Sequence, residues 1–563
     1  MCERYEFPEI LGRVLAGRGV ALEDAENFLN PTLRGLMPQP SAFRDMEQGA
    51  ARIADAIASG EKIGIIGDYD VDGVCATATM LMFLRAVGSD ATVYLPDRIT
   101  EGYGPSQKAV ETLRDAGVKL LLTLDCGVMA HDPLAHAAAL GLDTVIVDHH
   151  QASAELPVAH AVINPNRQDD LSGCGYLCAA GVAMILIAAI NKNLRARGHY
   201  RDGRAEPNVL QWLELTALAT VCDVVPLQGL NRAYVTQGLK VMSRRENLGL
   251  AALCDVARLK QRPDSYALGF MLGPRLNAAG RVGHADLALN LLLAKDRGEA
   301  AGFAQKLDQL NRERQTVEMR IVDRALAQAE AMLGKSGNLS VLLITGENWH
   351  PGVLGLAAAR LKERFKLPSF VLSENGQGVS SGSGRSVAGV DIGAAVREAV
   401  NARIVLKGGG HGMAAGLTVE AAKFGELRAF LEDRLAASVA ASPRNELQVD
   451  GALSASGATP DLIELLEQAG PYGSGHPAPV FVLPAHNVVY ADPAGTDHIR
   501  CTIAAKDGAR IKAIAFRAMG TDWGEALLAE RKFPLHIAGR LTLDTWNGKA
   551  QPQLQIEDVA RIA

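Results

Sequence analysis

The chain has 563 residues, with 57 Lys+Arg against 63 Asp+Glu and a formal net charge of −6. At roughly 150 residues per domain this length implies three or four domains, each able to bury a core without disulfide staples. The charge excludes a polycationic, histone-like binder but not a local basic groove on an acidic body, and 48% apolar with 21% charged residues excludes a disordered chain.

The N-terminus, Met1-Cys-Glu-Arg-Tyr-Glu6, lacks a basic segment leading into an apolar run, so no signal peptide is expected. The longest apolar stretch, Leu177 to Ile190, is too short for a bilayer and reads as a buried helix, so no membrane association is expected. The 8 cysteines are scattered, which suits reduced thiols in a cytoplasmic protein rather than a disulfide framework. Cys174 and Cys178 form the one close pair, and without a matching second Cys/His pair they do not make a zinc site.

After an N-terminal segment at 1–45, Lys62 to Gly67 reads as a buried strand and Val74 to Val87 as a helix. Strands follow at Ala91–Leu95, Val118–Leu124 and Asp143–Val147, alternating with helices at Ser106–Ala116 and His131–Leu140. Apolar strands alternating with helices imply a parallel sheet covered on both faces. Further helices at Gly173–Ile190 and Val209–Val221 complete an α/β unit placed at 46–284. Asp286 to Leu333 is rich in helix formers and predicts a long connecting helix over 285–335, with breaks expected at Gly298 and Gly302. A second α/β unit, 336–441, follows: a strand at Ser340–Thr345, a helix at Gly352–Phe365, a strand at Ser369–Leu372, Gly-rich loops at Gly376–Gly389 and Gly408–Gly416, and a helix at Glu420–Ala436. Beyond a polar break at 441–445, short alternating runs between Val480 and Ile556 predict a small β-barrel over 445–563, an oligonucleotide-binding fold being the leading candidate.

Three acidic groups directly follow predicted strands: Asp68-Tyr-Asp-Val-Asp-Gly73, Asp125-Cys-Gly127 and Asp148-His-His150. Ligands of open α/β sheets bind outside the carboxyl ends of the strands, so the three groups converge on one edge. Such crowded carboxylates take up protons unless cations compensate, and oxygen ligands with one or two imidazoles suit Mn²⁺ or Mg²⁺. A pair of ions about 3.5–4 Å apart activates water and clamps a phosphoryl group. A calcium loop fits less well, because Thr79 stands where an EF-hand has its Glu and a strand precedes the motif. Asp223, in Val221-Cys-Asp-Val-Val-Pro-Leu227, is a further candidate ligand.

Between Arg258 and Arg281 stand five basic residues and one acid. Arg275 and Arg281 flank Asn277 in a Gly-rich stretch suited to forked phosphate contacts. Arg385 beside Ser383 repeats the idea, and Gly409, Gly410 and His411 let backbone N–H groups approach a phosphate. His350 is the remaining expected phosphate contact. Gly378-Val-Ser-Ser-Gly382 matches a nucleophile elbow but lacks a following helix and triad partners. The chain carries no P-loop, which speaks against ATP-driven unwinding.

Taken in order, these motifs, together with Gly273-Pro-Arg-Leu-Asn-Ala-Ala-Gly-Arg281, Trp349-His-Pro-Gly-Val-Leu-Gly355, Ser381-Gly-Ser-Gly-Arg-Ser386 and Gly408-Gly-Gly-His-Gly-Met-Ala-Ala-Gly416, resemble the DHH phosphoesterases, and within them the bacterial exonucleases that act on single-stranded DNA. The resemblance implies a DHH domain, a DHH-associated domain and an oligonucleotide-binding tail. It implies metal ligands at Asp68, Asp70, Asp72, Asp125, His149 and Asp223, with Asp125 bridging two Mn²⁺ or Mg²⁺ ions; which of the first three aspartates binds directly stays open. His150 would touch the scissile phosphate and steady the leaving group, and Asp148 would orient the neighbouring histidine.

The resemblance also implies 5′→3′ polarity, a role in recombination and repair, a monomer, and partnership with a single-strand-binding protein and a RecQ-type helicase. Val71, Leu276 and His476 depart from the family pattern, the last standing where Asn is expected. Two alternatives remain. The tail after 445 argues against an oligonucleotide or cyclic-dinucleotide phosphodiesterase of the same superfamily, and the intact acidic motifs argue against a non-catalytic replication scaffold.

Overall fold

Strand β1 (Ile63–Gly67) has no polar side chain and is buried along its length, as a strand covered on both faces must be. It lies in a five-stranded sheet with β2 (Ala91–Tyr94), β3 (Leu120–Leu124), β4 (Asp143–Val147) and β5 (Ala161–Ile163), in the order β2-β1-β3-β4-β5. Every pairing is parallel. The expected strands and helices are present with shifts of a few residues at their ends; β5 was not foreseen. The computed structural model describes residues 2–5, 7–201, 203–336, 339–442, 446–529, 533–544 and 550–562. The helix Val71–Ala86, apolar nearly all round, packs against Ala179–Ala196 and Leu213–Cys222. Ala179–Ala196 is the one helix among the described residues long and apolar enough to cross a membrane, and most of it is buried in this core.

The connecting segment departs from expectation. A short helix, Asp286–Leu292, precedes one continuous helix, Arg297–Ser336, that runs through both Gly298 and Gly302. Its 40 residues span about 60 Å. The long helix packs on Gly273–Val282 at one end and on Pro351–Phe365 at the other, so packing at both ends outweighs the roughly 1 kcal/mol that an interior glycine costs. In the second unit, β6 (Leu342–Glu347), β7 (Ser369–Glu374), β8 (Val379–Arg385), β9 (Lys407–His411) and β10 (Ala414–Glu420) form a mixed sheet ordered β6-β7-β8-β10-β9. The Gly-rich stretches read as loops are therefore largely strands. The glycines serve close approach: a Cβ on Gly382 would lie 2.1 Å from the Val371 carbonyl oxygen, and one on Gly384 2.4 Å from the Phe370 ring. A helix at Ile392–Asn401 was also missed.

At the C-terminus, β11 (Gly451–Ala452) leads to β12 (Phe481–Ala494), β13 (His498–Ala504), β14 (Arg510–Ala515), β15 (Leu535–Asp544) and β16 (Gln551–Arg561). The order β12-β13-β14-β16-β15 closes through β15–β12 pairing into a five-stranded barrel, filled by Leu483, Ile499, Ile503, Ile537 and Leu554 among others. The expected break before it falls partly on 443–445, outside the described residues.

The N-terminal segment joins this barrel to the first unit. Leu11, Val14 and Leu15 of the helix Glu9–Gly17 pack with Leu466, Ala469 and Phe481. Arg18 forks onto Asp450 at 2.7 and 3.1 Å. Arg232, 1% exposed, has carbonyls rather than a carboxylate for partners: those of Phe28 (2.7 Å), Ala469 (2.6 Å), Pro471 (3.2 Å) and Gly470. Its guanidinium lies 3.9 Å from the Phe28 ring centroid. His476 stacks on Tyr472 at 5.1 Å, meets the Phe28 ring edge-on at 5.0 Å, and donates from Nε2 to the Ala469 carbonyl at 2.8 Å. It is thus a joint residue.

Burial lowers the His476 pKa from 6.5 to about 4, helped by the cations Arg232 and Arg18. An imidazole harder to protonate when folded is charged first in the unfolded chain. Its contribution to stability is therefore complete above pH 6.5 and falls as the pH drops toward 4, by up to about 1 kcal/mol per pH unit. In denaturant titrations across this range, His476→Asn is expected to lose stability less steeply than the parent, by up to that slope.

Candidate metal centre

Sheet register builds the site. Gly67 lies opposite Leu124, Leu124 opposite Val147, and Val147 opposite Ile163. The ladder continues one residue further, with the amides of Asp68, Asp125 and Asp148 donating to Leu124, Val147 and Ile163 at 3.2, 2.9 and 3.1 Å. Three carboxylates therefore leave three neighbouring strands at one level. Asp125 adopts φ +63° and Val224, beside Asp223, φ +61°. Left-handed backbone costs an L-residue roughly 1–2 kcal/mol and is concentrated at functional sites.

Ligand atoms of Asp68, Asp70 and Asp125 lie within 4.8 Å of one another, as do those of Asp72, His149 and Asp223, and those of Asp125, His149 and His150. His149 Nε2 lies 3.3 Å from Asp125 Oδ1, 3.6 Å from Asp223 Oδ2 and 3.8 Å from Asp72 Oδ2. Asp70 caps the helix it starts, accepting from Gly73 N at 3.1 Å. Both Asp72 oxygens accept amide N–H bonds at the start of Ala179–Ala196, from Ala179 at 2.6 Å and Ala180 at 2.8 Å. Asp68 Oδ1, Asp125 Oδ1 and Asp223 Oδ2 are buried and have no hydrogen-bond partner among the described residues.

Burial, and then neighbouring carboxylates, push the Asp68 and Asp125 carboxyls far above the usual range and that of Asp223 up to about 9. Acceptors this starved and crowded fit hard divalent cations, which neutralise several carboxylates at once. Asp148 behaves oppositely. Burial raises it, but His150 and the Val128 amide more than offset this and hold it below the usual range. Its Oδ1 accepts from the amides of His149 and His150 and from His150 Nδ1 at 2.8 Å, and its Oδ2 from Val128 N at 3.0 Å. Since a carboxylate only accepts, His150 carries a proton on Nδ1, leaving Nε2 for other partners. Burial lowers the His150 pKa, yet the Asp148 hydrogen bond and charge prevail and raise it to about 9.

Opposite the acids stand cations. Arg281 donates to the Gly352 carbonyl at 2.9 Å, Arg385 to that of Gly384 at 2.9 Å, and Arg98 lies 4.9 Å from the Tyr69 ring centroid. Burial, then Arg98, Arg314 and Arg385, lower the Arg281 pKa to about 10. Arg314 is paired with Glu318, but among the described residues Arg98, Arg281 and Arg385 have no carboxylate in ion-pair contact, and such guanidiniums suit an anion. Of the other expected phosphate contacts, Arg275 is held by Asp308 at 2.9 Å, and His350 Nδ1 accepts from Gly352 N at 3.1 Å as the cap of Pro351–Phe365. Asn277 is on the helix Gly273–Val282, Ser383 on β8, and Gly409, Gly410 and His411 on β9.

Four residues were not foreseen. Arg98 follows the end of β2. Tyr103 Oη donates to the Asp125 carbonyl at 2.9 Å and lies 3.0 Å from His150 Nδ1. Asn164 and Asn166, after β5, hold the carbonyls of His150 and His149 at 2.8 and 2.6 Å. A polar residue directly after a strand on this edge was the signal available for Asn164.

Family models match in chain order: the DHH family N-terminal domain at 62–220, the DHHA1 domain at 337–437 and the RecJ OB domain at 449–558. The chain is 33% identical to the single-stranded-DNA-specific exonuclease RecJ of Salmonella typhimurium, over 98% of this chain and 96% of that one. Identity to the protein of the same name from Escherichia coli is also 33%, with the same coverage. Among solved structures, Thermus thermophilus RecJ in complex with Mn²⁺ aligns with a TM-score of 0.81 at 27% identity, covering 100% of this chain and 77% of that one. The Mg²⁺ complex aligns at 0.75 and 26%, covering 100% and 76%.

Asp125→Ala removes the carboxylate common to two of the clusters and relieves repulsion. Without divalent metal its melting temperature is expected to match or exceed the parent's. The parent's rise on adding Mn²⁺, a linkage effect, should be lost. Nuclease activity should fall by more than the ~100-fold typical of losing an outer-shell partner. Differential scanning fluorimetry and a nuclease assay check the three together.

Proposed function

The chain belongs to the RecJ family of DHH phosphoesterases, and from that premise we propose that its acidic edge hydrolyses terminal phosphodiesters of single-stranded DNA in the 5′→3′ direction. It is an exonuclease of that superfamily, a soluble enzyme of DNA recombination and repair, and we place it in the cytoplasm as a monomer. The observation that carries the site assignment is the set of buried carboxylate oxygens on Asp68, Asp125 and Asp223 that have no hydrogen-bond partner among the described residues, with Arg281 and Arg385, whose bonds go to the Gly352 and Gly384 carbonyls.

Asp68, Asp70 and Asp125 would hold one divalent cation, and Asp72, His149 and Asp223, with Asp125 beside them, a second. Mn²⁺ or Mg²⁺ held by these residues would supply the Lewis acidity for activating water and for neutralising charge on the scissile phosphate. The protein's own groups do the rest. Arg98, Arg281 and Arg385 hold the phosphate with charge-assisted hydrogen bonds, with His350, Ser383, Asn277, Arg275 and the Gly409-Gly410-His411 backbone as further contacts. His150, its Nδ1 proton fixed by Asp148 and Tyr103, would present Nε2 to the departing 3′-oxygen and steady the leaving group there. The barrel grips the strand beyond the site through its backbone and bases. A single-strand-binding protein and a RecQ-type helicase are the partners that the family resemblance implies.

The barrel and the intact acidic motifs favour this reading over a small-dinucleotide phosphodiesterase or a non-catalytic scaffold. With 5′- and 3′-labelled DNA and RNA, single and double stranded, the protein is expected to degrade single-stranded DNA from its 5′ end in Mn²⁺ or Mg²⁺. It should leave blunt duplex intact and stop in EDTA. Equal digestion of duplex, or activity surviving EDTA, refutes the proposal.

A further inference from the structure

Before Arg275 the chain carries Arg258, Lys260 and Arg262, all exposed. The ion pairs nearest in sequence, Arg245–Asp255 and Arg275–Asp308, leave all three out. Tyr266 and Phe270 follow, 63% and 70% exposed. Their rings are stacked on each other, with centroids 5.0 Å apart and planes at 23°. Two large apolar surfaces facing water side by side are costly unless something covers them.

The support beneath the rings is rigid. Tyr266 and Phe270 ride on a π-helical turn, Ala267–Leu272, whose Ala267, Leu268 and Leu272 are buried. Asp264 starts the turn, its side chain accepting from Ala267 N at 2.7 Å and its carbonyl from Leu268 N at 3.0 Å. π-turns are rare and recur at functional sites. This one is joined to the metal centre: Cys222, one residue before Asp223, donates from Sγ to the Leu268 carbonyl at 3.5 Å. A Cβ on Gly269 would lie 3.3 Å from Val221 Cγ1. On its other side, Asp264 is near enough to Glu467, the last residue of the helix Pro460–Glu467 before the barrel, to help burial and Glu464 raise that carboxyl's pKa. The turn thus runs from beside a candidate metal ligand toward the C-terminal domain.

We propose that Tyr266 and Phe270 form a stacking platform for the bases of single-stranded DNA, with Arg258, Lys260 and Arg262 holding the phosphates of the same stretch. Flat aromatic faces beside cations that have no ion pair among the described residues match the alternation of base and phosphate along a single strand. A duplex hides its base faces and gains nothing from such a surface, so the platform adds to strand selectivity. The assignment rests on the exonuclease reading above and extends it to a binding element outside the cleavage centre.

Steady-state digestion of a 5′-phosphorylated single-stranded 20-mer in Mn²⁺ tests it. Tyr266→Ala/Phe270→Ala is expected to raise KM about tenfold or more, in line with base–aromatic stacking, while kcat stays within about twofold. Tyr266→Phe/Phe270→Tyr, which keeps both rings, should retain the parent KM. A 2-aminopurine placed successively along the strand should show, in the parent alone, a quenched position that the alanine pair releases. Unchanged KM in a folded alanine variant overturns the platform, as does a loss of kcat without a change in KM. An altered sedimentation coefficient with unchanged KM also overturns it, assigning the patch to contact between copies of this chain. If the parent digests no single-stranded DNA, the exonuclease reading itself fails, an outcome distinct from these.

Discussion

Parallel strands ending in register place aspartates side by side, and like charges so close cannot all stay ionised without compensation. Here the sheet delivers Asp68, Asp125 and Asp148 to one level, with Asp70, Asp72 and Asp223 around them. Each acid meets the constraint differently. Asp148 is held by His150 and backbone amides and stays ionised. Asp72 rests on the amides that start Ala179–Ala196, where the helix dipole favours negative charge. Asp68, Asp125 and Asp223 retain bare oxygens. Asp148 and Asp72 are thus compensated in part from within the protein, whereas the bare oxygens of Asp68, Asp125 and Asp223 are left for compensation from outside it.

The same constraint accounts for the second unit's position. A surface of carboxylates repels the phosphate it is meant to cut, so cations must approach from elsewhere in the chain. Arg281 comes from the helix Gly273–Val282, against which Asp68-Tyr69 packs closely enough that a Cβ on Gly280 would lie 2.9 Å from the Tyr69 carbonyl oxygen. Arg385 comes from β8, and Arg281 reaches the second unit by donating to the Gly352 carbonyl at the start of Pro351–Phe365. The long helix packs on Gly273–Val282 and on Pro351–Phe365 and so joins the two units that carry these arginines.

The chemistry-bearing residues were legible because they are contiguous with strand ends: an apolar run followed by Asp needs only the parallel-sheet rule to be placed. The Asp-x-Asp-x-Asp-Gly and Asp-His-His groups state their own context. Arg98, Tyr103 and Asn166 do not. Each is an ordinary loop residue whose meaning depends on where its side chain lands relative to Tyr69, His150 or the His149 carbonyl. The Gly-rich strands β8 and β9 were hidden for another reason: glycine carries no side chain from which a period of two can be read. The docking of residues 1–45 was invisible too, because Arg232 bonds Phe28 and Ala469, 204 and 237 positions away.

That long-range joint bears on how an acidic protein holds an acidic polymer. Six aspartates in the four acidic motifs match the formal −6 of the chain, so outside them positive and negative residues balance. The balance is not even in space: Arg258, Lys260 and Arg262 are exposed and unmatched, while Arg232 is buried where no phosphate can reach it. A cation withdrawn from the surface is spent on geometry instead. Fastening four carbonyls from the N-terminal segment and the barrel's approach, Arg232 ties the barrel to the first unit, which carries the candidate metal centre. A strand bound at both is therefore held at a separation the protein fixes beforehand, and less of its binding free energy is lost to ordering the enzyme.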